Sequence, residues 1–220
     1  MKLFISLTLF FYSIVFADST KEIRVSCVGD SITWGMTVKN RAENCYPNQL
    51  SRMLGEGYKV QNFGSNGATC MRQTPKANPY IKRDVYNQAL NSNPDIVVIM
   101  LGANDSKPIF WDQQDFVKSY KLLIDEFKSL TKTPKIYLCL PINSFTKIMG
   151  PWDVNAGNLS VARMLVQDLA EQTACELIDV YSPLNKRELF STDGVHPNAL
   201  GAELIATTVY NSLRVLNRTE

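Results

Sequence analysis

Four short glycine-containing segments of the 220-residue chain carry the side chains best suited to nucleophilic and acid–base chemistry. In chain order they read GDSIT (29–33), NFGSNGAT (62–69), GAND (102–105) and DGVHPN (193–198). Together they supply a serine hydroxyl, amides, carboxylates and an imidazole. A serine hydroxyl becomes a good nucleophile only when a neighbouring base takes its proton. Nucleophilic chemistry at Ser31 therefore requires a base beside it.

His196 is the candidate base, because it is the only histidine in the chain and imidazole ordinarily titrates near neutral pH. Asp193 precedes it by three residues across a glycine. That spacing allows the carboxylate to accept a hydrogen bond from the imidazole Nδ1–H and leaves Nε2 to face Ser31. Two structural alternatives remain: Ser31 caps a helix, or Asp193 is a turn or capping residue. Ser31, Asp193 and His196 are the candidate catalytic residues.

The elements that would position these residues alternate between strands and helices. Short, apolar, β-branched runs predict strands over 23–28, 58–61, 95–101, 135–140 and 176–180. Helical spacing of apolar residues predicts helices over 46–54, 80–90, 111–130, 159–174 and 199–216. This alternation predicts an α/β fold, a parallel sheet with helices on both faces. Ligands of such sheets bind outside the carboxyl ends of the strands, so we expect the four segments to meet at one edge.

The four segments, in this order and each following a predicted strand, resemble the SGNH hydrolases, an esterase superfamily also called GDSL. The resemblance covers residues 23–212. It implies a three-layer αβα sandwich around a five-stranded parallel, flavodoxin-like sheet. It also implies a serine esterase that forms an acyl-serine intermediate and uses no metal or organic cofactor.

The resemblance further implies an oxyanion hole with three donors: the backbone amides of Ser31 and Gly67 and the side-chain amide of Asn104. Such donors stabilise the charge that develops when an ester carbonyl is attacked. Gly64 competes with Gly67 for this role; Gly67 is preferred because it directly precedes the small or polar pair at 68–69, as the oxyanion glycine of the family does. Asn104 could instead be a turn residue.

Five further residues lie beside these segments in the sequence. Trp34, Gly35 and Arg72 are candidate neighbours of the substrate pocket. Asp30 and Asp105 flank the candidate catalytic and oxyanion residues, and we interpret both as loop hydrogen-bonders rather than catalysts.

The substrate class follows from the kind of family member that the chain resembles. The chain is short and lacks an apolar lid-like insertion, and it is most similar to carbohydrate O-acetylesterases, sialate O-acetylesterase-like proteins included. Removal of O-acetyl groups from a carbohydrate is therefore expected. The alternatives are a lysophospholipase, thioesterase or short-chain lipase of the same superfamily, and a non-catalytic secreted binding protein. All five catalytic and oxyanion candidates are intact, which disfavours the last.

The first residues and the overall charge indicate an exported, soluble product. Residues 1–17 comprise a positive Lys2, a short apolar stretch and a small residue, Ala17, at the expected cleavage point, a pattern typical of a signal peptide. Residues 18–220 would form a single SGNH hydrolase domain. No other stretch approaches the length of a membrane span. The net charge is +2 without charged runs, which indicates no nucleic-acid partner.

The five cysteines predict at most two disulfides in an oxidising compartment. With one histidine and no C-x-x-C pair, a zinc site is disfavoured. In the strand order implied by the resemblance, Cys45 and Cys70 follow neighbouring strands, so a Cys45–Cys70 disulfide is expected. Cys27 and Cys139 lie within predicted strands, and Cys175 lies at a helix end.

Overall fold

Five parallel strands form one sheet in the computed structural model, which describes residues 22–216. The strands are β1 (Ile23–Gly29), β2 (Tyr58–Gly64), β3 (Ile96–Met100), β4 (Lys135–Cys139) and β5 (Glu176–Ile178). Their order across the sheet is β2-β1-β3-β4-β5, and every neighbouring pair is parallel. This is the flavodoxin-like order, so the expected sheet is confirmed.

Seven α-helices occur within the described residues. They are α1 (Ser31–Trp34), α2 (Arg41–Asn44), α3 (Tyr46–Leu54), α4 (Asp84–Asn91), α5 (Gln113–Lys128), α6 (Ala156–Gln172) and α7 (Ala199–Leu216). The predicted helix over 80–90 is instead a 3-10 turn, Tyr80–Lys82, followed by α4. The short helices α1 and α2 were missed because one turn of helix carries no apolar periodicity.

Capping side chains determine where α5 and α6 begin. Asp112 Oδ1 accepts a hydrogen bond from the backbone N–H of Asp115 at 3.0 Å. Asn155 Oδ1 accepts one from the backbone N–H of Asn158 at 2.9 Å. Such oxygens satisfy amides that have no partner inside the helix. Because of the second cap, α6 begins at Ala156, three residues before the predicted start.

Helices cover both faces of the sheet and complete the expected three-layer αβα sandwich. Helices α3 and α7 pack on one face, and α4, α5 and α6 pack on the other. Along β3, Val97 and Ile99 contribute to the α5 side and Val98 and Met100 to the α7 side, and all four are buried. A strand that is apolar at every position is suited to the centre of a parallel sheet, because both of its faces are covered.

Two glycines allow α1 to lie against the carboxyl edge of the sheet. Gly29 and Gly64 are opposite each other in the register of β1 and β2. A Cβ on Gly64 would lie 2.1 Å from the backbone nitrogen of Trp34, and one on Gly29 would lie 2.1 Å from Thr33 Oγ1. Asn62 Nδ2 adds a hydrogen bond to the Thr33 carbonyl at 2.9 Å. The ends of β1 and β2 therefore hold α1 at backbone contact distance.

The expected Cys45–Cys70 disulfide is wrong. Both residues are buried free thiols, as are the thiols of Cys27 and Cys139, and Cys175 is also free. Cys45 precedes α3 and lies beside Asn62 on the α7 side of the sheet, whereas Cys70 belongs to the core on the α5 side. The two loops follow neighbouring strands but pass to opposite faces, which the strand order alone does not reveal.

The predicted signal peptide, residues 1–17, lies outside the described residues. Between residues 22 and 216, no helix is both long and apolar enough to cross a membrane.

Gly64→Ala is expected to lower the free energy of unfolding by about 1–3 kcal/mol, because the added methyl overlaps the backbone of α1. Urea unfolding followed by circular dichroism measures this change. Gly157→Ala, in the first turn of α6, is the control. The nearest atom to its added Cβ is Asn155 Oδ1 at 3.2 Å, so a change within about 1 kcal/mol is expected. Equal stability of Gly64→Ala and the parent protein would contradict the close approach.

Candidate active site

Ser31 lies at the carboxyl end of β1 as the first residue of α1. The residue that caps this helix is Asp30, whose Oδ1 accepts a hydrogen bond from the backbone N–H of Ile32 at 2.8 Å. Gly35 ends the helix with φ +92° and donates its N–H to the Ser31 carbonyl at 3.0 Å. Because Asp30 provides the cap, the Ser31 hydroxyl is available for another partner.

That partner is His196, and Asp193 completes a chain of three side chains. Ser31 Oγ lies 2.8 Å from His196 Nε2, and His196 Nδ1 lies 2.6 Å from Asp193 Oδ2. With Nδ1–H donating to the carboxylate, Nε2 is left to accept the serine hydroxyl proton. The structure thus brings together the three catalytic candidates from two distant segments of the sequence.

The Asp193 carboxylate is held in its charged form. Burial acts to raise its pKa, but hydrogen bonds from the His196 ring, the backbone amides of His196 and Val195, and the Ser191 hydroxyl lower its pKa below the ordinary range. Asp193 therefore does hydrogen-bond its own turn, as the structural alternative supposed, and it also holds the imidazole. A carboxylate in this position orients the ring and stabilises the imidazolium that forms during proton transfer.

Two further donors lie in the loops after β2 and β3. Gly67 has φ +73°, a conformation that favours glycine, and the nearest atom to an added Cβ would be Asn78 Nδ2 at 3.6 Å. The backbone N–H groups of Ser31 and Gly67 donate to no other residue in the described part of the chain. Asn104 is buried, and its Nδ2 donates one hydrogen to the Ala68 carbonyl at 3.1 Å, which leaves a second hydrogen. Gly64, the competing glycine, ends β2 in backbone contact with α1.

Asp105 links the two loops that carry Gly67 and Asn104. Its Oδ1 accepts a hydrogen bond from the backbone N–H of Met71 at 2.8 Å, next to the contact between Asn104 and Ala68. Asn104 and Asp105, which are adjacent in the loop after β3, therefore both hydrogen-bond the loop that carries Gly67. The sequence identified Asp105 as a loop hydrogen-bonder but could not identify its partner, which lies 34 residues away.

The two buried carboxylates beside the site are costly to ionise. Burial raises the pKa of Asp105 to about 6 and that of Asp30 to about 7. Each accepts a hydrogen bond from a backbone amide, which only partly offsets the loss of water. The second oxygen of Asp105 has no hydrogen-bond partner among the described residues.

Of the three candidate pocket residues, Arg72 is directed elsewhere. Its guanidinium forms two hydrogen bonds of 2.7 Å with Glu126, near the C-terminal end of α5. Trp34 ends α1, and its ring lies under the Arg41 guanidinium at 4.0 Å. Gly35 closes the same helix and packs against Cys45. Trp34 and Gly35 thus stay close to Ser31 in the chain, whereas Arg72 joins the loop after β2 to α5.

The arrangement is suited to nucleophilic attack on a carbonyl carbon. It contains a hydroxyl, a base that contacts it, a carboxylate that orients the base, and three N–H donors at one edge of the sheet. These are the groups required for acyl transfer through a serine. From residue 22 to residue 216, no group of three or more histidine, cysteine, aspartate or glutamate side chains could hold a metal ion.

Removing the buried charge of Asp105 is expected to change how stability depends on pH. The folded carboxyl keeps its proton up to a pKa of about 6, whereas the unfolded one loses it near pH 4. Stability therefore falls as pH rises through this window, by about 3 kcal/mol for this group. Asp105→Asn keeps an oxygen acceptor for Met71 and cannot ionise. Between pH 4 and pH 7, the free energy of unfolding of Asp105→Asn should therefore fall by less than that of the parent protein.

Denaturant unfolding at several pH values measures the difference between the two proteins. Any cost of burying the new amide is the same at every pH and cancels from the comparison. Asp125→Asn, which removes an exposed carboxylate on α5, is the control and should follow the parent protein. Parallel curves for the parent protein and Asp105→Asn would contradict the buried-charge interpretation.

Comparison with known proteins gives the family. Residues 27–204 match the GDSL-like Lipase/Acylhydrolase family. The chain is 34% identical to an acetylxylan esterase from Xylanibacter ruminicola over 218 residues, which cover 90% of this chain. The alignment spans 44% of that relative's length.

Solved structures of similar fold include a carbohydrate acetylesterase from Sinorhizobium meliloti, at TM-score 0.71 and 20% identity over 89% of this chain and 100% of that one. A putative arylesterase from Agrobacterium tumefaciens gives TM-score 0.70 and 23% identity over 87% and 98%. At these identities the likeness establishes the fold. Because the family match spans most of this chain, the chain belongs to the GDSL-like Lipase/Acylhydrolase family.

Proposed function

We propose that this protein is a secreted serine esterase that removes O-acetyl groups from a carbohydrate through an acyl-serine intermediate. The observation that carries the proposal is the contact of Ser31 Oγ with His196 Nε2 at 2.8 Å, with Asp193 on the other side of the ring at 2.6 Å. The free N–H groups of Ser31, Gly67 and Asn104 lie at the start of α1 and in the loops after β2 and β3.

In the first half of the reaction, Ser31 Oγ attacks the ester carbonyl carbon as His196 Nε2 takes its proton. The carbonyl oxygen becomes an oxyanion that accepts hydrogen bonds from the backbone amides of Ser31 and Gly67 and from Asn104 Nδ2. Asp193 stabilises the imidazolium. His196 then gives the proton to the departing alkoxide as the C–O bond breaks, which leaves an ester on Ser31.

In the second half, water replaces the alcohol. His196 Nε2 takes a proton from the water as its oxygen attacks the acyl carbon, and the same three donors hold the second oxyanion. Collapse of that intermediate breaks the bond to Ser31 Oγ, which recovers its proton from His196 and releases the acid. The enzyme returns to its starting state, and the net reaction consumes one water for each ester.

The substrate assignment rests on relatives whose names state related activities. One is an acetylxylan esterase and another a carbohydrate acetylesterase. Both names support an acetyl ester on a sugar for this chain. The proposal of secretion rests on the signal-peptide pattern of residues 1–17. We propose that the mature protein has no membrane span.

Ser31→Ala and His196→Ala are each expected to lower turnover by about 10³-fold or more, since each removes a group required in both halves of the reaction. Release of p-nitrophenol from acetate and octanoate esters and of acetate from acetylated xylan measures activity, and the acetyl substrates should be preferred. Circular dichroism verifies the fold. Ser129→Ala, at the far end of α5, is the control and should match the parent. A folded Ser31→Ala protein with parental turnover would overturn the mechanism.

A further inference from the structure

Residues 65–79 form a long loop after β2, and Gly67 lies near its start. A turn at residues 74–77, closed by one backbone hydrogen bond of 3.2 Å, reverses the chain. Beyond this turn the loop returns beside its own beginning, because the Thr69 N–H donates to the Asn78 carbonyl at 2.9 Å. Gly67 therefore lies at the base of the loop, and the turn forms its tip.

Both arms of the loop connect the tip to Gly67 through short, packed segments. On the outgoing arm, Ala68, Thr69 and Met71 are fully buried. On the returning arm, Asn78 donates its backbone N–H to Thr69 Oγ1 at 3.2 Å. Its side-chain amide lies against Gly67, since a Cβ on the glycine would be 3.6 Å from Asn78 Nδ2. A displacement of the tip is therefore transmitted to the backbone of Gly67 along both arms.

Asp115, in the first turn of α5, holds this tip. Its Oδ2 accepts hydrogen bonds from the backbone N–H groups of Gln73 and Thr74, at 3.0 and 2.8 Å, and from the Thr74 hydroxyl at 2.8 Å. Its Oδ1 accepts one from the Ser119 hydroxyl at 2.7 Å. Ser119 Oγ in turn accepts the backbone N–H of Arg72 at 3.1 Å. One carboxylate thus binds three consecutive loop residues to α5, directly or through Ser119.

The burial of Asp115 serves the loop rather than the helix. Asp112 already caps α5, and an acidic residue stabilises the first turn of a helix without being buried. Asp84, in the first turn of α4, is exposed in this way. Asp115 is instead buried. Burial acts to raise its pKa, but the hydrogen bonds it accepts lower the pKa below the ordinary value and keep the carboxylate charged. Hydrogen bonds to a charged acceptor are the stronger kind.

We propose that Asp115 is a positioning residue of the esterase reaction: by holding the tip of the loop, it fixes the backbone N–H of Gly67 where the oxyanion forms. The inference rests on the proposed function, in which Gly67 is one of three oxyanion donors. Such donors lower the barrier only when they are fixed in advance. A displacement of about 1 Å, caused far from the reacting atoms, can lower a rate about 100-fold.

The test compares kcat and KM for p-nitrophenyl acetate in Asp115→Ala and the parent protein. The kcat should fall about tenfold while KM stays within about twofold, because oxyanion donors act in the transition state. Asp115→Asn should restore most of kcat, since its amide oxygen can accept the loop hydrogen bonds and its NH₂ group can donate to Ser119 Oγ. Asp84→Ala removes an exposed acidic residue from the first turn of a helix and is the matched control. It should keep the parental kcat and KM.

A ketone inhibitor reports on the oxyanion hole separately from turnover. Ser31 Oγ adds to the carbonyl carbon of trifluoroacetophenone, its proton passes to His196, and the carbonyl oxygen becomes an oxyanion held by the same donors. The inhibition constant should rise in Asp115→Ala by about the factor by which kcat falls, and it should recover in Asp115→Asn. Circular dichroism verifies that each variant is folded.

Several results would overturn the inference. Parental kcat in folded Asp115→Ala would mean that the loop tip does not influence the reaction. A higher KM with unaltered kcat would assign Asp115 to substrate binding. A lower kcat with an unaltered inhibition constant, or with no recovery in Asp115→Asn, would mean that Asp115 only supports the fold. If Asp115→Ala does not fold, Thr74→Val takes its place, because it removes only the hydroxyl donor, and kcat should fall about twofold to threefold.

Amide hydrogen exchange separates failure of this inference from failure of the proposed function. Exchange is measured by mass spectrometry in Ser31→Ala protein, with and without Asp115→Ala, and requires no catalysis. Faster exchange in peptides covering residues 65–79, with peptides of β4 unchanged, supports the hold on the loop even if the parent protein hydrolyses no ester. Unaltered exchange in these peptides would overturn the inference even if the parent protein is an active esterase.

Discussion

The hydrogen bond between Ser31 and His196 joins residues that are 165 positions apart, and most of the architecture can be understood as the means of making it. Ser31 is fixed by α1, which the glycine ends of β1 and β2 admit to backbone contact. His196 is fixed by a turn whose amides converge on Asp193. Because the sheet holds the carboxyl ends of its parallel strands at one edge, two short segments that are rigid in themselves meet at a distance suited to proton transfer.

This convergence places charged groups where water is scarce. Asp30 and Asp105 are buried beside the reacting residues, and burial raises both pKa values. Burial also lowers the pKa of Lys107, although the nearby Asp30 carboxylate opposes that change. Asp193 differs, because its hydrogen bonds outweigh its partial burial and keep it charged. Carboxylates within one loop cluster thus differ: two hydrogen-bond the backbone around the site, and in the proposed mechanism the third stabilises the imidazolium that forms on His196.

The parts of this structure that could be predicted from sequence are those with a repeating physical pattern. The wholly apolar run of β3 and the apolar stripe of α7 were both located, and the four glycine-containing segments identified the edge where the candidate active site lies. Single-turn helices such as α1 have no such pattern. The partners of Arg72 and Asp105, and the opposite faces on which Cys45 and Cys70 lie, depend on how loops cross the sheet edge.

In the proposed mechanism, Ser31 carries the acyl group between the two halves of the reaction. Quenching the enzyme in acid during turnover of p-nitrophenyl acetate, followed by peptide mapping by mass spectrometry, detects this intermediate. We expect one acetyl group on the peptide that contains Ser31, localised to that residue by fragmentation and absent from Ser31→Ala protein treated identically. Full turnover with no acetyl group on Ser31 at any time point, or acetylation at another residue with the kinetics of turnover, would contradict it.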